Sequence, residues 1–231
     1  MRKLGIRMSI VLLWIGMVVG VCGGSFELQI SDVSALTEPW PLIGGLPFPE
    51  GELHDADRIR IVEADGSEVP AQIDVAARYL DGSIRWALAG FTADPQGDYR
   101  VAYGRGISRK PPETPLRIER DAEGEITVDT GAAVYVFPPE QLLPTTARMG
   151  NTVFLEDAGA GAYLVDNHGR LSRVAGPQAE VETQILNKGP ARTVIRREGW
   201  YVTDDGERLA RARAWFYLSA GSPYMRVTHS L

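Results

Sequence analysis

The segment RLARARAWFYL, residues 208–218, changes side-chain character at every step. Successive side chains of a strand point to opposite faces. Ala210, Ala212, Ala214, Phe216 and Leu218 therefore share one face, and Leu209, Arg211, Arg213, Trp215 and Tyr217 share the other. The same period recurs at Phe26, Leu28 and Ile30 and at Ile59 and Ile61, and ARTVIRREGWYV reads as another long strand. Apolar residues almost nowhere recur at helical spacing, so the chain is predicted to be all-β. Asp65-Gly66, Asp81-Gly82, Asn167-His168-Gly169 and Asp205-Gly206 supply residues that tolerate positive φ and mark turns. The clearest hairpin spans residues 76–91 around Asp81-Gly82, and Trp86 within it is expected in the core because its strand neighbours are apolar.

SRKPPETP, residues 108–115, is rich in proline and polar residues and separates two runs of strands. The predicted organisation is a small barrel of short strands over 26–110, a linker over 111–117 and a sandwich of long antiparallel strands over 118–231. The closing segment PYMRVTHSL reads as a strand with Met225, Val227 and His229 alternating. A domain seldom stops in mid-strand, so the expectation is the front part of a longer protein with an incomplete sandwich. WPLIGGLPFPEGEL, residues 40–53, carries three prolines and three glycines, which oppose helix and uninterrupted strand alike. Leu42, Ile43, Leu46 and Phe48 lie between these breakers, and a rigid, packed crossing loop is expected there.

Residues 1–25 place Arg2, Lys3 and Arg7 before an apolar run from Met8 to Val21, the layout of a secretory signal. Its end allows two readings, cleavage at Val21-Cys22-Gly23 or lipid anchoring at Cys22. The expected location is accordingly secreted, periplasmic or cell-surface. Cys22 is the only cysteine, which excludes an intrachain disulfide and a thiolate metal cluster.

Residues 23–187 hold 13 basic and 26 acidic residues, whereas residues 188–231 hold 8 basic and 4 acidic. The acidic bulk opposes nucleic acid as a partner, while the basic end suits a local anion such as a uronic acid. His54, His168 and His229 are too far apart for a local metal motif. Asp55 and Asp57 have the spacing of calcium ligands without the glycine and distal glutamate of a calcium loop. Nucleophile-elbow and phosphate-loop patterns are absent from the sequence, and no metal or cofactor is expected.

The candidate binding residues are Arg211, Arg213, Trp215 and Tyr217. Aromatic rings stack on sugar faces and arginine clamps a carboxylate with paired hydrogen bonds, so this face suits an acidic glycan. Arg192 and Arg196 on the neighbouring strand are expected to add positive potential. The competing reading packs Trp215 and Tyr217 under a neighbouring sheet or a further domain, with the arginines merely keeping the sheet soluble.

PWPLIGGLPFPEGEL, followed by EADGSEVPAQIDVAARYLDGSIRWALAGF, resembles the N-terminal domain of the exo-rhamnogalacturonan lyase-like family, PcRGLX/YetA-like. NKGPARTVIRREGWYV and RARAWFYLSAGSPYMRVTHSL look like the opening of that family's central β-sandwich. The resemblance implies a RIFT-type barrel, then a sandwich, then an α/α toroid that this sequence does not contain. For members that are lyases it implies β-elimination at a uronic acid, with roles for a base, an acid and a carboxylate-neutralising group. It assigns none of these roles to residues of this chain, so the catalytic residues stay unknown. The implied reading is the non-catalytic front of an exported, rhamnogalacturonan-type polysaccharide lyase, partnered by acidic polysaccharide and its own C-terminal domain. The alternative is a stand-alone or surface-anchored glycan-binding or scaffolding module.

Overall fold

The computed structural model describes residues 23–30, 38–110, 113–156 and 162–231. Most of the expected signal segment and part of the expected linker lie outside these residues. The fold is all-β, and its only helical pieces among the described residues are two single 3-10 turns at Ala56–Arg58 and Pro177–Ala179.

The first unit contains β1 (Gly23–Leu28), β2 (Trp40–Pro47), β3 (Ile59–Glu63), β4 (Glu68–Val69), β5 (Ala71–Arg78), β6 (Ile84–Ala93) and β7 (Tyr99–Gly104). They form two antiparallel sheets, in the orders β1-β7-β3-β4 and β2-β6-β5. Alternation buries Ile59, Ile61 and Val101 from one sheet against Leu46, Ala87, Ala89 and Phe91 from the other. Phe26, Phe48 and Tyr103 close one side of this core with ring centroids 5.0 to 6.2 Å apart. Strand β1 begins at Gly23, inside the stretch read as signal.

Two expectations fail in this unit. The first eight residues of the predicted crossing loop are strand β2, paired with β6 from Trp40↔Ala93 to Pro47↔Trp86. The prolines are accommodated because β2 is an edge strand and both occupy odd positions. Phe48 donates its amide to the Arg85 carbonyl at 3.1 Å, so even-numbered amides face β6 and the missing amides of Pro41 and Pro47 face the open edge. Trp86 is not core: it is 42 % exposed and lies on the outer face of the sheet. A Cβ at Gly45 would come within 3.0 Å of its ring, so the indole covers the glycine instead of filling the interior. The hairpin around Asp81-Gly82 is present, and its last strand pair is Arg78↔Ile84. Tyr79 donates its amide to Ser83 and Gly82 holds φ +83°, within a loop that links β5 to β6.

The second unit comprises β8 (Arg117–Arg120), β9 (Ile126–Asp129), β10 (Val134–Phe137), β11 (Thr146–Met149), β12 (Thr152–Leu155), β13 (Tyr163–Val165), β14 (Leu171–Arg173), β15 (Glu182–Lys188), β16 (Arg192–Thr203), β17 (Arg208–Ser219) and β18 (Met225–Ser230). A five-stranded sheet runs β12-β11-β10-β9-β8. The facing sheet runs β13-β14-β16-β17-β18, with β15 also paired to β16. Their inner faces share one core that includes Ile126, Val128, Tyr135, Phe137, Ile195, Ala212, Ala214, Phe216 and Leu218. Phe137 meets Phe216 edge-on at 5.0 Å. The two units have separate cores, the first ending by Tyr103 and the second starting at Leu116.

A polar clasp joins them. Gln72 on β5 donates to Asn187 at 2.8 Å and accepts the amides of Ala191 and Arg192 through its carbonyl oxygen at 3.2 and 3.1 Å. Asp74, two residues on, accepts from Asn187 at 3.0 Å and pairs with Arg192 at 2.9 Å. Arg192 lies against Gly90, and Trp40 stacks near Tyr224 with centroids 5.1 Å apart.

Candidate functional site

The hairpin β16–β17 turns at Asp205-Gly206, where Gly206 holds φ +90°. Its register pairs Arg196 with Trp215, Glu198 with Arg213 and Trp200 with Arg211. Strand β18 on the other side pairs Trp215 with Thr228 and Tyr217 with Arg226. Period two places all these residues on one face, opposite the alanines and Phe216 that enter the core.

Arg211, Arg213, Trp215 and Tyr217 therefore do share a face, as alternation predicts. Among the described residues no sheet covers it: the side chains of Arg211 and Arg213 are each 46 % exposed. Trp215 and Tyr217 are half-buried by their own neighbours. Arg213 lies 5.7 Å from the Trp215 ring centre, Arg226 lies 4.1 Å from that of Tyr217, and Arg211 and Arg208 flank Trp200 at 5.8 Å. The face is thus a ladder of aromatic rings with guanidinium groups beside them, a pattern in which each cation meets the electron-rich side of a ring.

Arg196 joins this face, but Arg192 does not. Its guanidinium turns to Asp74 in the clasp and is 11 % exposed, so it adds little potential here. Its partner is 118 residues away in sequence, which strand-level reasoning has no means to see.

Glu198 was not among the sequence-predicted site residues. Its carboxylate is 9 % exposed and accepts from Arg213 Nε at 2.8 Å and Arg196 Nη2 at 3.2 Å, with Arg211 Nη2 at 3.8 Å. The hydrogen bond from Arg213 holds its carboxyl below the usual carboxylate range. A signal for it existed: Glu198 and Arg213 are equidistant from the Asp205-Gly206 turn, so a simple hairpin register brings them together.

The other candidate chemistry disperses. Asp55 caps the 3-10 turn by accepting the Asp57 amide at 2.9 Å, while Asp57 pairs with Arg109 at 2.7 Å, so the two carboxylates serve different partners. His54 and His168 are exposed, and exposed His229 lies 3.4 Å from the Tyr201 hydroxyl. Among the described residues no group of three or more His, Cys, Asp or Glu side chains converges as metal ligands would. Three clefts among the described residues lie on the first unit or at the clasp, one of them beside Glu50, Glu52, His54, Asp55, Arg58 and Tyr103.

Residues 38–104 match the family model of the PcRGLX-like N-terminal RIFT barrel domain, a span from just ahead of β2 to the end of β7. No protein of curated function matches the sequence.

Proposed function

We propose, from a chain whose first unit is a PcRGLX-like N-terminal RIFT barrel domain, that it is the non-catalytic front of an exported carbohydrate-active protein. The parent activity in this reading is polysaccharide lysis of the rhamnogalacturonan type. The barrel and sandwich act as a support, and the sandwich presents the glycan-contacting face. Export rests on the charged and apolar layout of residues 1–25, which lie almost wholly outside the described residues.

The observation that carries the glycan reading is the exposed face on which Arg211, Arg213, Trp215 and Tyr217 stand together. Rings offer apolar platforms to sugars, and exposed guanidinium groups offer paired donors to their carboxylates. A salt-dependent attraction to polyanions follows, because partly wet charges are screened. The reading as a stand-alone glycan-binding module draws on the same observation, since the face is assembled within this one sheet.

Binding of oligogalacturonate to the wild type and to Trp215→Ala, with thermal unfolding of both, tests the proposal. Loss of the ring should weaken binding several-fold, at about 1 kcal/mol for a stacking contact, and leave unfolding little changed. A large loss of stability with no specific binding to lose would refute the glycan face. Incubated with rhamnogalacturonan, the chain should release no unsaturated uronate. A rise in ultraviolet absorbance would place catalytic machinery inside these residues.

A further inference from the structure

We infer that Glu198 is the positioning residue of a carboxylate subsite, gathering Arg196, Arg211 and Arg213 beside Trp215 to receive a uronic acid. The inference rests on the glycan reading of this face and adds which groups make it selective.

Glu198 stands on the solvent-facing side of β16, yet it is 9 % exposed because arginines lie over it. One carboxylate among three guanidinium groups leaves the cluster with an excess of positive charge. The donors are equally unspent. Arg213 uses Nε and Arg196 uses Nη2 toward Glu198, and the remaining nitrogens of both have no hydrogen-bond partner among the described residues. Arg211 is held more loosely, 3.8 Å from Glu198 and 3.9 Å from Glu182. Without a central anion, guanidinium groups on adjacent strand positions repel and swing apart. With it, they are fixed while their outward N–H groups face solvent, so less freedom is lost when a ligand arrives.

The ring beside the cluster sets the chemical class. A pyranuronate has an apolar ring face and a carboxylate at its rim. With the sugar on Trp215, that carboxylate falls toward Arg213, whose guanidinium carbon is 5.7 Å from the indole centre. Arg196 is the cross-strand partner of the same tryptophan and approaches from β16. Neutral sugars could use the ring but not the cluster, and a generic polyanion could use the charge but not the ring.

The test turns on a sign. Glu198→Gln makes the face more positive by one charge. If the arginines act only as diffuse charge, oligogalacturonate binds the variant more tightly. If Glu198 positions them, affinity falls about tenfold, the effect of one or two lost charge-assisted hydrogen bonds. Its preference for trigalacturonate over the trimethyl ester should fall in step. Arg213→Lys keeps the charge, loses the fork, and should show a similar loss even if Glu198→Gln folds poorly. Unchanged or tighter binding by Glu198→Gln, or unchanged binding by Arg213→Lys, would overturn the carboxylate subsite and leave the glycan face standing. If the wild type binds neither trigalacturonate nor its ester, the glycan reading fails and the subsite fails with it.

Discussion

Arg197 is a cation inside the sandwich, 1 % exposed and without a carboxylate partner among the described residues. Its Nη2 donates to the carbonyls of Pro138 and Pro139 at 2.6 and 3.2 Å, and its Nε donates to the Thr183 hydroxyl at 2.9 Å. Its Nη1 has no partner. Burial, with the Arg120 charge nearby, pulls its pKa down to about 10. The side chain ties β16 to β15 and to the prolines that follow β10. Arg197→Ala would leave a cavity and two unpaired carbonyls, and should cost roughly 3 kcal/mol or more in urea unfolding. Arg197→Met should cost less, because it fills the space and removes a buried charge. The pH sign also follows. A base whose folded pKa is depressed binds fewer protons folded than unfolded from about 10 up to its ordinary value, so this group's contribution rises with pH there. The stability gap between wild type and Arg197→Met should therefore shift in favour of the wild type as pH climbs through that window.

At the level of elements, the adjacent glycines of β2 make opposite predictions. A Cβ at Gly45 meets the Trp86 ring at 3.0 Å, whereas one at Gly44 meets nothing within 4 Å. Gly45→Val should lift the indole and cost about 1–2 kcal/mol. Gly44→Val should be neutral or mildly stabilising, because a β-branched residue suits a strand better than glycine. Equal effects on the urea midpoint would mean that the indole does not rest on Gly45. The same strand marks where legibility stops. Strands β16 and β17 are readable because Ala212, Ala214, Phe216 and Leu218 alternate with Arg211, Arg213, Trp215 and Tyr217, and burial follows that alternation. Strand β2 is not readable, because whether a proline breaks a strand depends on which way its missing amide points and on what lies beyond the edge. Trp86 misleads for a related reason. Its apolar neighbours Ala87 and Ala89 face inward, and period two then sends the tryptophan outward. The candidate face was legible as a set of residues, but its anchor Glu198 becomes visible only once the hairpin register is drawn.

For the molecule as a whole, the clasp sets how far barrel and sandwich act as one body. Asp74 neutralises Arg192 across the joint, and a Cβ at Gly189 would overlap the Gln72 amide, so the contact is close as well as polar. Asp74→Ala leaves a largely buried guanidinium unpaired and should remove about 1–3 kcal/mol of coupling. In calorimetry the expected result is a single transition for the wild type and two for the variant. A single transition in both would assign the coupling to the Gln72 bonds and the Trp40–Tyr224 contact instead. The clasp also has a consequence in time. Gln72 must wait for Arg192, 120 residues later. At about 5–20 residues per second, a ribosome takes roughly 6–24 s to deliver it. The barrel core closes by Tyr103, so a folded barrel spends most of that interval with its docking surface bare. A greasy surface would invite aggregation during the wait, whereas Gln72 and Asp74 are content in water until the second half of the chain arrives.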